Sequence, residues 1–124
     1  GDASAQLLDW AYRHLIDVVQ YDMYSPGLSR WLTLGAELDA AGLRSAPHHY
    51  GEPLGNYAAC HLGAAIRGFQ GVEWDEATLA GIDGSAYRIV EGQVCVPDLP
   101  GFGMALDEEV FVRAAKEHGF SVSM

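Results

Sequence analysis

Acidic and imidazole side chains recur at regular intervals along the chain. Asp22, His48 and Glu73 lie about 25 residues apart, a spacing that a strand–helix–strand crossover needs. A histidine next to a carboxylate can act as a general acid or base near neutral pH, because its unperturbed pKa is about 6.5. The carboxylate of Asp2, before the first helix, is a hard oxygen ligand of the kind that Mg²⁺ prefers. Together these residue types suit a proton-abstraction site.

The segments between these residues alternate between helical and strand-like patterns. Three helices are predicted, from the N-cap Ser4 to Leu15, from Leu28 to Gly42 and from Pro53 to Gly68. Their predicted inward faces are Leu7, Leu8, Ala11, Tyr12 and Leu15; Leu28, Trp31, Leu32, Gly35 and Leu38; and Ala58, Leu62, Ala65 and Ile66. Short apolar strands are predicted at 16–21, 43–46 and 69–72, covered on both faces as in a parallel sheet. Asp22, His48 and Glu73 then follow the carboxyl ends of strands, where parallel barrels carry catalytic residues.

The pattern changes after residue 80. Tyr87–Val90 and Gln93–Val96 alternate around Glu91-Gly92, which predicts a two-residue hairpin turn. A Pro- and Gly-rich stretch follows at 97–103. A last helix is predicted from about Asp107 to His118, with Val110, Phe111 and Ala114 facing inward, and residues 120–124 fit a short final strand. Residues 1–80 are therefore assigned to the last β/α units, and residues 81–124 to a separate closing segment.

The composition excludes several classes of protein. The 124 residues carry a formal charge of −10, with 7 Lys and Arg residues scattered along the chain, so we expect no nucleic-acid partner. No apolar run approaches the roughly 20 residues of a membrane-spanning helix, and we expect a cytoplasmic protein with no membrane partner. Cys60 and Cys95 lie in no metal-binding spacing and are predicted to be buried thiols rather than a disulfide.

Each candidate residue also has a structural interpretation. An acidic residue after a strand often caps the next helix, which is an alternative role for Asp22 and for Glu73. His48 follows a proline in a loop and competes with its neighbour His49 for any catalytic role. Two further histidines, His14 and His61, lie within predicted helices and are expected to be packing or surface residues.

Five segments of the chain carry a resemblance to a known family. They read DVVQYDMYSPGLSRWLTLG, SAPHHYG, AACHLGAAI, GVEWDE and VCVPDLPGFGMALDEE. In order and spacing they resemble the late barrel strands and closing segment of enolase-superfamily enzymes of the mandelate racemase/muconate lactonizing enzyme group. The resemblance implies the C-terminal part of a modified TIM (β/α) barrel, followed by a β-hairpin and a C-terminal helix that return toward a capping domain. The chain begins with Gly-Asp rather than Met, and we expect it to be part of a longer protein.

The resemblance also implies roles for individual residues. Asp22 and His48 resemble the Asp-His dyad of the sixth and seventh barrel strands. Glu73 resembles the eighth-strand acid that hydrogen-bonds the substrate carboxylate. Asp2 falls at the position of a metal-binding carboxylate, where the family usually places Glu. The implied cofactor is Mg²⁺, which stabilises the enediolate that forms when a base removes the proton next to a carboxylate.

Two hypotheses about function follow. In the first, the chain is the C-terminal fragment of an acid-sugar dehydratase or a racemase, inactive when isolated. It would then act on a small carboxylate with the N-terminal portion of the same enzyme, and is expected to form a homo-oligomer. In the second, the chain is a truncated paralogue or remnant that serves only as a folded or interaction module. The Asp in place of Glu at residue 2 favours the second hypothesis.

Overall fold

The computed structural model describes residues 3–50 and 53–122 of the chain. The chain divides into two compact units, residues 1–77 and residues 78–124. Asp2 lies outside the described residues, so its role as a metal ligand stays a prediction. The assignment of residues 1–80 to a barrel and of residues 81–124 to a closing segment also stays a prediction.

The first unit has the predicted alternation of helices and parallel strands. Its elements are α1 (Ala3–Tyr12), β1 (Val18–Val19), α2 (Leu28–Ala40), β2 (Arg44–Ser45) and α3 (Pro53–Ala65). Strand β1 pairs in parallel with β2, placing Val18 opposite Arg44, and a further parallel bridge joins Ser45 to Phe69. The predicted fold class, a run of parallel β/α units, is confirmed.

The strands are shorter than predicted, and Pro47 gives a physical reason for the third of them. On the side of β2 that faces Phe69, Ser45 N donates to Gly68 O and Gln70 N donates to Ser45 O. Because alternate residues of a strand face the same neighbour, the next donor on that side belongs to Pro47, which has no N–H. Regular pairing therefore ends there, and Phe69 forms an isolated bridge instead of a strand over residues 69–72.

The helices pack their apolar residues over this small sheet. The buried residues of the first unit include Ala11, Val19, Met23, Trp31, Leu34, Leu38, Leu43, Ala58, Ala59, Cys60, Leu62 and Ile66. Helices α2 and α3 approach closely, since a Cβ on Gly35 would lie 2.5 Å from the Cδ1 atom of Ile66. A side chain at residue 35 would push the two helices apart.

Several predicted inward positions are wrong. Leu32 is exposed, because the buried stripe of α2 is Trp31, Leu34, Gly35 and Leu38. Helix α1 ends at Tyr12 and His14 takes the left-handed conformation with φ 54°, so that Leu15 is outside the helix and exposed, as is Tyr12. Ala65, at the last position of α3, is exposed as well. Ser4 lies inside α1, although it was predicted to cap it.

The second unit is built from short antiparallel pairs and one helix. Its elements are β3 (Ile82–Asp83), β4 (Arg88–Val90), β5 (Gln93–Cys95), β6 (Ala105–Leu106) and α4 (Glu108–His118). Strand β3 pairs with β6, and β4 pairs with β5. Glu91 and Gly92 have φ angles of 51° and 76°, as a two-residue type I′ turn requires. The predicted hairpin is confirmed.

Three expectations for the second part of the chain are wrong. Asp107 caps α4 by accepting from Val110 N at 3.0 Å, but no residue of the helix is buried, and Phe111 is 54% exposed. Residues 120–122 form no strand, since no neighbouring segment in the described part of this unit pairs with them. Both cysteines are free, as predicted, but Cys95 on the hairpin is exposed.

No helix within residues 3–50 and 53–122 has the length and apolar character that crossing a membrane requires.

The end of α3 is held by a carboxylate from α2. Asp39 accepts from Arg67 N at 2.9 Å and from Gly68 N at 2.7 Å. These N–H groups follow the helix end, where the chain turns toward the bridge at Phe69. The carboxylate therefore fixes the entry into the third parallel segment.

We predict that Asp39→Ala lowers the free energy of unfolding by about 1–3 kcal/mol, because it leaves two backbone donors without their charged acceptor. Urea denaturation of the purified protein measures this change. Glu37→Ala is the matched control on the same helix. Its partner Arg30 lies 3.6 Å away across an exposed ion pair, so we expect a loss of about 0.5 kcal/mol or less. Equal losses in the two variants would contradict the role of Asp39.

Candidate functional site

The ends of β1 and β2 bring Asp22 and His48 together. The two residues form an isolated parallel bridge beyond the paired strands, with His48 N donating to Tyr21 O at 3.0 Å and Met23 N donating to His48 O at 2.9 Å. The indole of Trp31, on α2, donates to Asp22 O at 3.1 Å. The backbone at both positions is therefore held by the sheet and by the buried core.

Glu73 is the residue that contacts the His48 ring. Its Oε2 atom lies 2.6 Å from His48 Nδ1 and accepts from His49 N at 3.2 Å. Its Oε1 atom accepts from Nε2 of Gln20, the residue that follows β1, at 3.4 Å. The predicted convergence of residues from three parallel segments is thus observed for His48 and Glu73, and Gln20 joins them. Sequence reasoning missed Gln20, because a single amide in an apolar strand carries no pattern.

The surroundings of Glu73 keep it ionised. Desolvation raises the pKa of this carboxyl, but the hydrogen bonds from His49 N and the His48 side chain, together with the positive charge of these histidines when they are protonated, outweigh it, so the pKa lies below its usual value. An ionised carboxylate can only accept hydrogen bonds. His48 Nδ1 must therefore carry a proton, which leaves Nε2 of a neutral ring with a lone pair that can take a proton from a substrate.

The Asp22 carboxylate is engaged elsewhere. Its Oδ1 atom accepts from Ser25 N at 2.7 Å, which is a local turn contact. The alternative role as a cap of the next helix is wrong, because the N-cap of α2 is Gly27 and has no side-chain cap hydrogen bond. The expected hydrogen bond from the imidazole to Asp22 is not among the contacts of the described residues, and His48 Nδ1 contacts Glu73 instead. Asp22 therefore lies beside His48 through a backbone bridge, whereas the side chain that contacts the His48 ring is that of Glu73.

His49 is not an accessible rival of His48. Its side chain is 1% exposed, and neither ring nitrogen has a hydrogen-bond partner within the described residues. Burial lowers its pKa, so the ring is neutral at neutral pH. Gly55 makes room for it, because a Cβ there would lie 2.5 Å from His49 Nδ1. His49 thus contributes its backbone N–H to Glu73, and its ring fills the core.

Three further reactive side chains, His14, His61 and Cys60, differ in their exposure. His14 is exposed beyond the end of α1, and His61 lies within α3 with a partly buried side chain. The Cys60 thiol is buried, and desolvation raises its pKa to about 11, which keeps it protonated and unreactive.

The described residues do not form a metal site by themselves. Among them, no group of three or more His, Cys, Asp or Glu side chains could hold a metal ion. The predicted ligand Asp2 is not among these residues.

Comparison with known proteins relates this geometry to a family. Residues 3–110 match the family model described as Enolase C-terminal domain-like. A mandelate racemase/muconate lactonizing protein from Geobacillus sp. Y412MC10, complexed with magnesium and tartrate, shares 48% identity and a TM-score of 0.92, over 100% of this chain and 32% of its own. A galacturonate dehydratase from Geobacillus sp., complexed with D-galacturonate and 5-keto-4-deoxy-D-galacturonate, shares 48% identity and a TM-score of 0.90, over 95% of this chain and 32% of its own.

A more distant structure shares the fold alone. A mandelate racemase/muconate lactonizing enzyme-like protein from Roseovarius sp. TM1035 has 21% identity and a TM-score of 0.70, over 89% of this chain and 28% of its own. No curated protein matches the chain. The chain spans about a third of the length of the first two solved relatives, 32% in each case.

We predict that the buried, neutral ring of His49 makes the protein less stable as pH falls below 6.5. Burial lowers the folded-state pKa, so the unfolded chain takes up a proton first, and stability is lost from pH 6.5 down to that lowered pKa. Urea denaturation at a series of pH values measures the slope. His49→Gln should reduce the slope in this window, whereas the exposed control His14→Gln should leave it unchanged. An unchanged slope in His49→Gln would contradict this account.

Proposed function

The chain belongs to the Enolase C-terminal domain-like family, and we propose that it forms the C-terminal part of a Mg²⁺-dependent acid-sugar dehydratase. The observation that carries the proposal is the His48 ring, placed at the end of a parallel strand with Nδ1 on the ionised Glu73. The 48% identity to a galacturonate dehydratase supports an acid sugar as the substrate class. His48 is the proposed catalytic residue.

The two molecules bound to that relative define a reaction that suits this pair. D-galacturonate becomes 5-keto-4-deoxy-D-galacturonate by loss of the proton on the carbon next to the carboxylate and of the hydroxyl on the following carbon, which together leave as water. The resulting enol rearranges to the ketone. In this chain His48 Nε2 would take that proton, or would protonate the departing hydroxyl.

The contacts of Glu73 favour an orienting role over the predicted contact with the substrate carboxylate. An ionised Glu73 has no proton to donate and would repel a second carboxylate. Held against Nδ1, it fixes the ring orientation and stabilises the imidazolium that forms when Nε2 takes a proton. Asp22 would then hold the strand end beside His48, and its proposed participation in a dyad is secondary.

The metal is proposed on the family relationship and on the magnesium bound by a relative at 48% identity. When bound, Mg²⁺ would neutralise negative charge that develops on the substrate carboxylate. Asp2 and residues outside this chain are the proposed ligands. The isolated chain should therefore be inactive and should depend on the remaining portion of the enzyme.

A non-enzymatic module is the second candidate. The feature that favours it is Asp2, at a position where the family usually places Glu. A longer protein with metal ligands before residue 1 would support the dehydratase. A gene product that starts near residue 1 would support the module.

We predict that His48→Ala in the full-length protein reduces dehydration of D-galacturonate by roughly 10²–10⁴-fold, because the proton acceptor is removed. Proton NMR in D₂O follows both the product and the exchange of the proton next to the carboxylate. Mg²⁺ binding, measured by calorimetry, should persist. The exposed control His14→Ala should retain full activity. Unchanged dehydration in His48→Ala would remove this residue from the mechanism, whereas lost dehydration with unchanged exchange would assign it the protonation of the departing hydroxyl.

We predict that Glu73→Gln lowers kcat by roughly 10²–10⁴-fold with little change in KM, because an uncharged amide no longer holds the proton on His48 Nδ1. Steady-state kinetics on D-galacturonate measure both constants. Asp22→Asn is the comparison variant and should lower kcat less. A raised KM with an unchanged kcat in Glu73→Gln would instead support contact with the substrate carboxylate.

A further inference from the structure

We infer that Asn56 is a positioning residue for the His48–Glu73 pair: its side-chain amide fixes the backbone at Asp75 and thereby the place of Glu73. This inference rests on the proposed function and extends it to a residue that does not touch the reacting atoms.

The side-chain amide of Asn56 forms two hydrogen bonds with the backbone of Asp75, as the backbone of a neighbouring strand would. Its Nδ2 atom donates to Asp75 O at 2.6 Å, and its Oδ1 atom accepts from Asp75 N at 2.9 Å. Asn56 lies on α3 and is 2% exposed. Both functions of the amide are therefore satisfied by one residue, in a place where an unpaired amide would be costly.

Asn56 acts where the sheet no longer holds the chain. The last sheet hydrogen bond of the third parallel segment is from Gln70 N to Ser45 O, and Pro47 offers no donor beyond it. Within the described residues, no backbone hydrogen bond is formed by residues 71–74, so Glu73 lies on a span without regular structure. The next fixed point along the chain is Asp75, held by Asn56.

A second contact from α3 reinforces the same span. Tyr57, next to Asn56, packs edge-on against Trp74 with ring centroids 6.3 Å apart. Two consecutive residues, Trp74 and Asp75, thus contact side chains of α3. The backbone of His48 is held by the sheet, whereas the residues that follow Glu73 are held by α3. The 2.6 Å contact between His48 and Glu73 therefore depends on the two hydrogen bonds between Asn56 and Asp75.

The test uses the full-length protein with ¹⁵N-labelled histidine. NMR correlation spectra report which ring nitrogen of His48 carries the proton, and comparison with His48→Ala assigns its signals. We expect Nδ1 protonation in the parent protein and a mixture of both tautomers in Asn56→Leu. On D-galacturonate, kcat should fall roughly tenfold to a hundredfold with KM nearly unchanged. Asn56→Asp keeps an acceptor for Asp75 N and should show a smaller effect in the same direction.

Leu62→Ala is the matched control, because Leu62 is buried on the same helix and removing its side chain weakens packing without touching Asp75. It should leave the His48 tautomer unchanged. The inference is overturned if Asn56→Leu retains Nδ1 protonation, or if Leu62→Ala disturbs it equally. If Asn56→Leu does not fold, Asn56→Asp decides by the same criterion. A protein that dehydrates no acid sugar would contradict the proposed function, while the tautomer measurement would still test Asn56.

Discussion

The carboxylate of Glu73 is the group on which the candidate site depends. One oxygen of it receives both His48 Nδ1 and His49 N, and the other receives Gln20 Nε2. Three parallel segments therefore meet on a single side chain. Because an ionised carboxylate offers only acceptors, it determines the tautomer of the imidazole and directs the basic nitrogen of His48 away from itself. The chemistry of the site follows from this one contact.

The surrounding fold supplies two kinds of support for that contact. His48 is held by the ladder between β1 and β2 and by its bridge to Asp22. Glu73 lies beyond the reach of the ladder, because Pro47 ends regular pairing on its side of β2, and the chain there is held by side chains of α3. Helix α3 is in turn placed by its close packing on α2 at Gly35 and by Asp39 at its end. A helix thus performs the task that a longer strand would otherwise perform.

The sequence was informative where local pattern decides structure. Helical periodicity located α2 and α3, the Glu91-Gly92 pair located the hairpin, and the spacing of His48 and Glu73 anticipated their meeting at strand ends. The sequence is uninformative where two side chains could bind the same group. The sequence predicts Asp22 as the partner of the imidazole and Glu73 as a contact of the substrate, whereas in the structure Asp22 accepts from Ser25 N and Glu73 contacts His48 Nδ1. Helix α4 has a periodic apolar face, but periodicity does not reveal whether other residues of the unit cover that face. In the structure Phe111 on this helix is exposed.

The two units differ in how far apart along the chain their paired residues lie, and this difference has a kinetic consequence. The hairpin pairs Arg88 with Cys95 across a type I′ turn, so little chain entropy is lost when it closes. The parallel pair places Val18 opposite Arg44, with a whole helix between them. A β-hairpin forms in roughly 1–10 μs, whereas long-range parallel pairing of strands is intrinsically slow. During refolding of the whole chain, the hairpin can therefore form before the parallel segments that position His48 and Glu73 have paired.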